Sequence, residues 1–247
     1  MLNLIGIGLS WKDLSLKALE AIHDCDEVYV ESYTSVSDFS AEQLSRLIGK
    51  KIIQLNRKQT EEEMPFLKNA HIKNIALLIF GDPFSATTHF EILQIAKKKK
   101  IETKIIHASS IFTAVAETGL SLYKFGKTAS ISIPETGFAP ESFFDILAEN
   151  QKIDAHTLFL LDLKPQENKF LAIPQAIDIL LDINRKRKLS IFAEKTFCIG
   201  CARLGTENAM IKADTADKLR EIEFGSPPFC LIVPAKLNHK EEEYLKK

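Results

Sequence analysis

Nine consecutive residues, Gly81-Asp82-Pro83-Phe84-Ser85-Ala86-Thr87-Thr88-His89, hold the densest set of groups able to do chemistry. They follow an apolar run at 75–80 and precede a helical pattern, so they read as a loop leaving a buried strand. Asp82 is placed to accept hydrogen bonds from a ligand, and Pro83 stiffens the turn beside it. On composition alone, capping of the next helix by Asp82, Ser85 or Thr87 is the slightly better reading. A second candidate is Gly6-Ile7-Gly8-Leu9-Ser10, again between a strand and a helix. Glycine lets the backbone turn sharply and approach a ligand with no Cβ in the way. With Glu31 at the end of the next strand, this resembles the start of a dinucleotide fingerprint. The third glycine is missing, however, and the helix starts too late to aim at a pyrophosphate. A tight turn beside a small-molecule cleft fits better than a nicotinamide site.

Four cysteines are present, and Cys198 and Cys201 have C-x-x-C spacing. They fall in a predicted strand, where positions three apart point to opposite faces. No second pair completes a zinc site, so buried structural thiols are expected. The six histidines show no metal spacing; His89 and His107 flank the proposed cleft, where a proton-handling role is open. The acidic runs Glu61-Glu62-Glu63 and Glu241-Glu242-Glu243 read as solvated helix faces.

These groups need elements to hold them, and short apolar runs alternate with helical patterns along almost the whole chain. The run at 2–7 predicts a first strand. Ser15 caps a predicted helix with Leu16, Leu19 and Ile22 on one stripe. Residues 27–32 predict a second strand. Ser40 with Gln43 makes a capping box before Leu44, Leu47 and Ile48, closed by Gly49. A strand at 51–55, a second capping box at Thr60 and Glu63, a helix at 88–98 and a strand at 103–106 complete this half. Such alternation predicts an α/β layer with a mainly parallel sheet. Sheets of that kind bind ligands at the carboxyl ends of strands where the strand order reverses. Both glycine turns fall at such ends.

The second half predicts a helix at 109–118, then strands at 129–133, 157–163, 197–204, 209–213 and 230–233. Helices are expected at 141–149, 174–184 and 215–223. Longer, closer strands favour a mixed or antiparallel sheet. The expected organisation is an N-terminal α/β domain at 1–108 and a C-terminal α/β domain at 109–247.

The totals exclude several classes. With 32 basic and 33 acidic residues the net charge is −1, so there is no basic surplus of the kind a nucleic-acid binder carries. Lys97 to Lys100 is a solvated helix end whose cations suit the helix dipole. No run is long enough to span a bilayer. The chain opens on Met1-Leu2-Asn3-Leu4-Ile5 without a leader pattern, and a cytoplasmic location is expected.

The full string from Gly81 to His89 resembles the signature loop of the diphthine synthase family, G-D-P-x-x-A-T-T-H. Its G-D-P start is shared across the wider tetrapyrrole-methylase fold. Further similar stretches run in order along the chain: Ile5-Gly6-Ile7-Gly8-Leu9, Glu31-Ser32-Tyr33-Thr34-Ser35, His107-Ala108-Ser109-Ser110-Ile111 and Tyr123-Lys124-Phe125-Gly126. Leu160-Leu161-Asp162-Leu163-Lys164, Ala202-Arg203-Leu204-Gly205, Phe224-Gly225-Ser226-Pro227-Pro228 and Leu231-Ile232-Val233-Pro234 follow.

The resemblance implies two α/β domains with S-adenosyl-L-methionine, left as S-adenosyl-L-homocysteine, folded in the cleft between them. It also implies a homodimer. The family's cofactor contacts fall on Leu9, Asp82, Ser85, Ser110, Ile111, Leu161, Leu204 and Phe229. The implied substrate is 2-[3-carboxy-3-aminopropyl]histidine on elongation factor 2, whose α-amino group is taken to a trimethylammonium. The chain departs from the family's usual residues at Ser85 (apolar), Ser109 (proline), Ser226 (aspartate) and Phe229 (histidine). No catalytic base is identified. Alternatives are a tetrapyrrole or precorrin methyltransferase of the same fold, a nucleotide-cofactor oxidoreductase built on the Gly6–Gly8 turn, and a non-catalytic binding module.

Overall fold

The computed structural model describes residues 1–33, 36 and 39–245, so Thr34 and Ser35 of the Glu31–Ser35 stretch lie outside the described residues. The chain divides into two compact units, Met1–Ala114 and Val115–Lys247.

In the first unit, strands β1 (Leu2–Gly6), β2 (Glu27–Glu31), β3 (Ile52–Leu55), β4 (Ile75–Ile79) and β5 (Thr103–Ile106) form one parallel sheet in the order β3-β2-β4-β1-β5. The two central strands, β1 and β4, are buried along their whole length, which is why they read as unbroken apolar runs. From β1 the chain moves outward to β2 and β3, and from β4 it moves the other way to β5. The order therefore reverses between β1 and β4, and both glycine turns leave the sheet there.

Helices α1 (Leu16–His23), α2 (Ala41–Ile48), α3 (Pro65–Lys68), α4 (Phe90–Lys98) and α5 (Ile111–Ala114) belong to this unit. Ser15 caps α1 by accepting from the Ala18 amide at 3.1 Å. The buried stripe of α1 is Ala18, Ala21 and Ile22, whereas Leu16 is 80% exposed. Leu16 opens the first turn and lies off the face that the i, i+3, i+4 set presents to the sheet. The Ser40–Gln43 capping box forms as read, with Gly49 ending α2 in the left-handed region. The Thr60–Glu63 box does not form. The reciprocal pair sits earlier: the Asn56 amide donates to Gln59 Oε1 at 3.0 Å and the Gln59 amide donates to Asn56 Oδ1 at 2.9 Å. Thr60 is left inside a single wide turn, Gln59–Glu63, with its hydroxyl on the Asn56 carbonyl.

In the second unit, β6 (Ala129–Ile131), β7 (Thr157–Leu161), β10 (Phe197–Ala202), β11 (Met210–Thr215) and β12 (Phe229–Val233) form a mixed sheet in the order β11-β10-β12-β7-β6. Only β6–β7 is parallel; the other pairs are antiparallel. β8 (Leu163–Lys164) and β9 (Lys169–Phe170) make a small hairpin. Helices α6 (Ser142–Lys152), α7 (Ile173–Lys186), α8 (Ala216–Leu219) and α9 (His239–Leu245) complete it. The helix expected at 109–118 is α5 followed by a tighter turn, Val115–Thr118. All four cysteines are free and buried, and Cys201 stands opposite Cys230 in the β10–β12 ladder.

Glu241 is not part of a solvated face. It is 2% exposed, and its carboxylate holds α9 in place by accepting from the Ser121 amide at 2.9 Å, the Asn238 amide at 2.8 Å and His156 Nε2 at 3.1 Å. His156 Nδ1 accepts from the Ala235 amide, so the proton sits on Nε2 and the imidazole is neutral. Burial pushes the Glu241 carboxyl up, but the Asn238 and Ser121 amides and His156 outweigh it, and the net direction is down. A carboxylate with a depressed folded pKa stabilises the fold above its unfolded pKa and loses that effect as pH falls through the folded value. Glu241→Ala is expected to lower stability by about 3–5 kcal/mol at neutral pH, because the buried His156 Nε2 and the partly buried Ser121 and Asn238 amides lose their acceptor. Denaturant melts of the variant and the parent check this, and a difference within error would remove Glu241 as the anchor.

Candidate functional site

Three loops leave the carboxyl ends of β1, β4 and β5, and hydrogen bonds tie them together. The first two meet backbone to backbone: the Gly8 amide donates to the Gly81 carbonyl at 3.2 Å, and the Gly81 amide donates back to Gly8 at 2.9 Å. Both glycines have positive φ, 78° and 69°. At Gly8 an added Cβ would lie 2.2 Å from the Asp13 Cβ, so no side chain fits. At Gly81 it would meet only the Ser109 carbonyl, at 3.8 Å. Gly81 therefore lines a space that a side chain would fill.

Asp82 joins the second loop to the third. Oδ1 accepts from the Phe84 amide at 3.0 Å and lies 3.4 Å from the Ser85 hydroxyl. Oδ2 accepts from the Ala108 amide at 3.2 Å and lies 2.7 Å from His107 Nδ1. Burial pushes this carboxyl up, yet the Phe84 amide, the His107 ring and the Ala108 amide pull it further down, below the ordinary aspartate value. Asp82 is thus an anion with its oxygens already engaged by its own chain.

Asp13 joins the first loop to the third in the same way. Its Oδ2 accepts from the Leu9 amide at 3.0 Å, the Ser10 amide at 3.2 Å and the Ser109 hydroxyl at 2.6 Å. Reading the sequence missed Asp13; its signal is the Ser10-x-x-Asp13 spacing of a turn onset, which is too common to single out. The Ser109 hydroxyl is what lets Asp13 reach the third loop. Ser110 is buried, and its carbonyl receives the Thr113 and Ala114 amides that start α5. The first unit so gathers Leu9, Asp82, Ser85, Ser110 and Ile111 at one end of its sheet.

In the second unit, Leu161 ends β7, Phe229 begins its antiparallel neighbour β12, and Leu204 lies just past the end of β10, antiparallel to β12 on the other side. These three share one end of the second sheet. Arg203 fixes that end: its amide donates to the Pro228 carbonyl at 2.9 Å, and its guanidinium reaches the Phe224, Asn208 and Ser226 carbonyls. Ser226 offers Arg203 a carbonyl and a hydroxyl.

The model of the Tetrapyrrole (Corrin/Porphyrin) Methylases matches residues 1–219. The chain belongs to that family. Its relatives within the tetrapyrrole methylases are specific. A diphthine synthase of Methanococcus maripaludis is 39% identical over 100% of this chain and 98% of its own. A diphthine methyl ester synthase of Candida glabrata is 37% identical over 99% of this chain and 89% of its own. A crystal structure of diphthine synthase matches with a TM-score of 0.89 and 37% identity, covering 99% of this chain and 94% of that one. A crystal structure from Entamoeba histolytica reaches a TM-score of 0.92 at 34% identity, covering 100% and 97%. The parallel and mixed five-stranded sheets described above are those of this family, and its members are methyltransferases, as this chain is.

Asp82→Ala is expected to leave the Phe84 and Ala108 amides without acceptors and to cost about 2–3 kcal/mol. Amide exchange at 84 and 108 checks it and should quicken in the variant. Because the Asp82 pKa is depressed, the parent keeps this clamp at neutral pH and loses it only as pH falls below the usual carboxylate range.

Proposed function

We propose that the chain is a diphthine synthase, which transfers methyl groups from S-adenosyl-L-methionine to the α-amino group of 2-[3-carboxy-3-aminopropyl]histidine on elongation factor 2, giving the trimethylated product. The observation that carries this reading is full-length similarity to diphthine synthases at 37–39% identity, which is stronger than the likeness of fold alone. S-adenosyl-L-methionine supplies an electrophilic methyl group and its own leaving group. The chain must therefore hold the amine in line with that methyl and keep water out.

The residues fit the cofactor. The space at Gly81, bordered by backbone from three loops, takes a ligand close to peptide groups without a Cβ intervening. Leu9, Ser85, Ser110 and Ile111 border those loops and offer apolar surface with a few hydroxyls, the usual make-up of a small-molecule site. Asp82 acts by setting the loops in register, its oxygens being engaged by Phe84, Ala108 and His107. Leu161, Leu204 and Phe229 are proposed as the second unit's contribution, held by Arg203. Phe229 there supplies backbone and ring surface where a histidine is usual. A homodimer working in the cytoplasm completes the reading.

The Candida glabrata relative, named for a methyl ester, raises a fourth methyl on the carboxylate as a second reading. Methylation of elongation factor 2 carrying the aminocarboxypropyl-histidine, read by mass spectrometry against unmodified factor, decides. Stepwise gain of three methyl groups at that histidine alone is the expected result. A fourth, base-labile methyl would move the chain to the ester-forming kind. No gain on the factor, with gain on a tetrapyrrole, would withdraw the substrate.

A further inference from the structure

On the reading that the chain binds S-adenosyl-L-methionine, the first unit's share of the seat draws on segments far apart in sequence. Leu9 lies on the loop after β1, and Ser110 and Ile111 lie on the loop after β5. The ladder between those strands ends at Ile5 and Ile106, short of both segments. Past it the link runs through two half-buried side chains, Asp13 and Ser109, neither of them among the proposed cofactor contacts. They meet over Gly8, whose missing Cβ leaves the room. A side chain at Gly8 would lie 2.2 Å from the Asp13 Cβ, and 2.9 Å from both Asp13 Oδ2 and the Ser109 hydroxyl oxygen.

Hydrogen bonds close a ring among Leu9, Asp13 and Ser109 in that room. The Leu9 amide donates to Asp13 Oδ2 at 3.0 Å and to the Ser109 oxygen at 3.2 Å. The Ser109 hydroxyl gives its own proton to Asp13 Oδ2 at 2.6 Å, a short bond to a carboxylate oxygen. The Ser10 amide is a third donor to Oδ2, at 3.2 Å. With Oδ2 so engaged by its own chain, Asp13 acts through Leu9 and Ser109. A purely local turn needs less than this. The turn from Ser10 to Asp13 is closed by the Asp13 amide on the Ser10 carbonyl at 3.0 Å, and Ser109 has no part in it. What the Ser109 bond adds is register between Leu9 and the two residues that follow Ser109.

We propose that Asp13, acting with Ser109, is a positioning residue for S-adenosyl-L-methionine. The pair holds the Leu9 backbone and the 109–111 segment in register before the cofactor arrives. A ligand that touches both segments must otherwise order them as it binds, and that cost comes out of its affinity. A seat assembled only part of the time binds more weakly in proportion to the fraction assembled. The cofactor is held by these segments before and during transfer alike. Loosening them therefore raises KM for the cofactor and leaves kcat at saturation close to the parent value.

Calorimetry with S-adenosyl-L-homocysteine on the parent, Asp13→Ala, Asp13→Asn, Ser109→Ala and the Asp13→Ala/Ser109→Ala double variant tests this, with methyl transfer to the modified factor at varied S-adenosyl-L-methionine. The parent must bind first; a parent that does not bind fails the cofactor reading and not the positioning role. Asp13→Ala should bind about thirtyfold more weakly, and Ser109→Ala about fivefold. Asp13→Asn should stay within about threefold of the parent, since its amide oxygen still accepts from Leu9, Ser10 and Ser109. The double variant should be no more than about twofold weaker than Asp13→Ala, because the two side chains act as one pair. KM for the cofactor should rise with Kd while kcat stays within about twofold. Parent-like binding by Ser109→Ala overturns the proposal, even if Asp13→Ala does not fold. So does Asp13→Asn binding as weakly as Asp13→Ala, additive losses in the double variant, or a loss that falls on kcat with KM unchanged.

Discussion

A single carboxylate sets the geometry of the first unit's ligand end. Asp82 leaves the central strand β4 and accepts hydrogen bonds from its own loop and from the loop after β5. Asp82 supplies the hydrogen bonds that join these two loops directly, beside the edge contact of the Phe84 and His107 rings. The Gly8–Gly81 bridge and the Asp13–Ser109 bond close the remaining sides, so three loops from three parallel strands are tied to one another. A buried anion surrounded by amide donors is stable because those donors are fixed before the charge arrives. The same saturation limits what Asp82 does for a ligand.

The sheet order explains why these loops are neighbours. β1 and β4 are adjacent, yet the chain leaves them in opposite directions, so no crossover connection covers the gap between their carboxyl ends. Residues 6–8 and 81–82 occupy that gap. Asp82 faces the β5 exit, where its Oδ2 meets His107 Nδ1 and the Ala108 amide.

Much of this was legible before any coordinates. The central strands announced themselves as apolar runs, and the Ser15, Ser40 and Gly49 signals placed α1 and α2 because capping is local chemistry. Tertiary packing was less visible. Leu16 looked like core from periodicity and is exposed, since small residues, Ala18 and Ala21, let the helix approach the sheet. Glu241 looked like solvated surface because its partners, Ser121 and His156, lie far away in sequence. Asp13 escaped notice for the same reason: its meaning depends on Ser109, almost a hundred residues later. The Asn56–Gln59 cap was overlooked beside the Thr60–Glu63 pattern, which shows that spacing alone does not tell which of two overlapping signals the backbone takes.

The central claim is that the loops after β1, β4 and β5 form a ready seat for S-adenosyl-L-methionine. Amide hydrogen exchange of the parent with and without S-adenosyl-L-homocysteine tests it most directly. Added protection is expected at 8–10, 81–85 and 108–111 in the first unit, and around 161, 204 and 229 in the second, with little change in the already protected sheet interiors. Protection that falls elsewhere, while these segments exchange as before, would contradict the account.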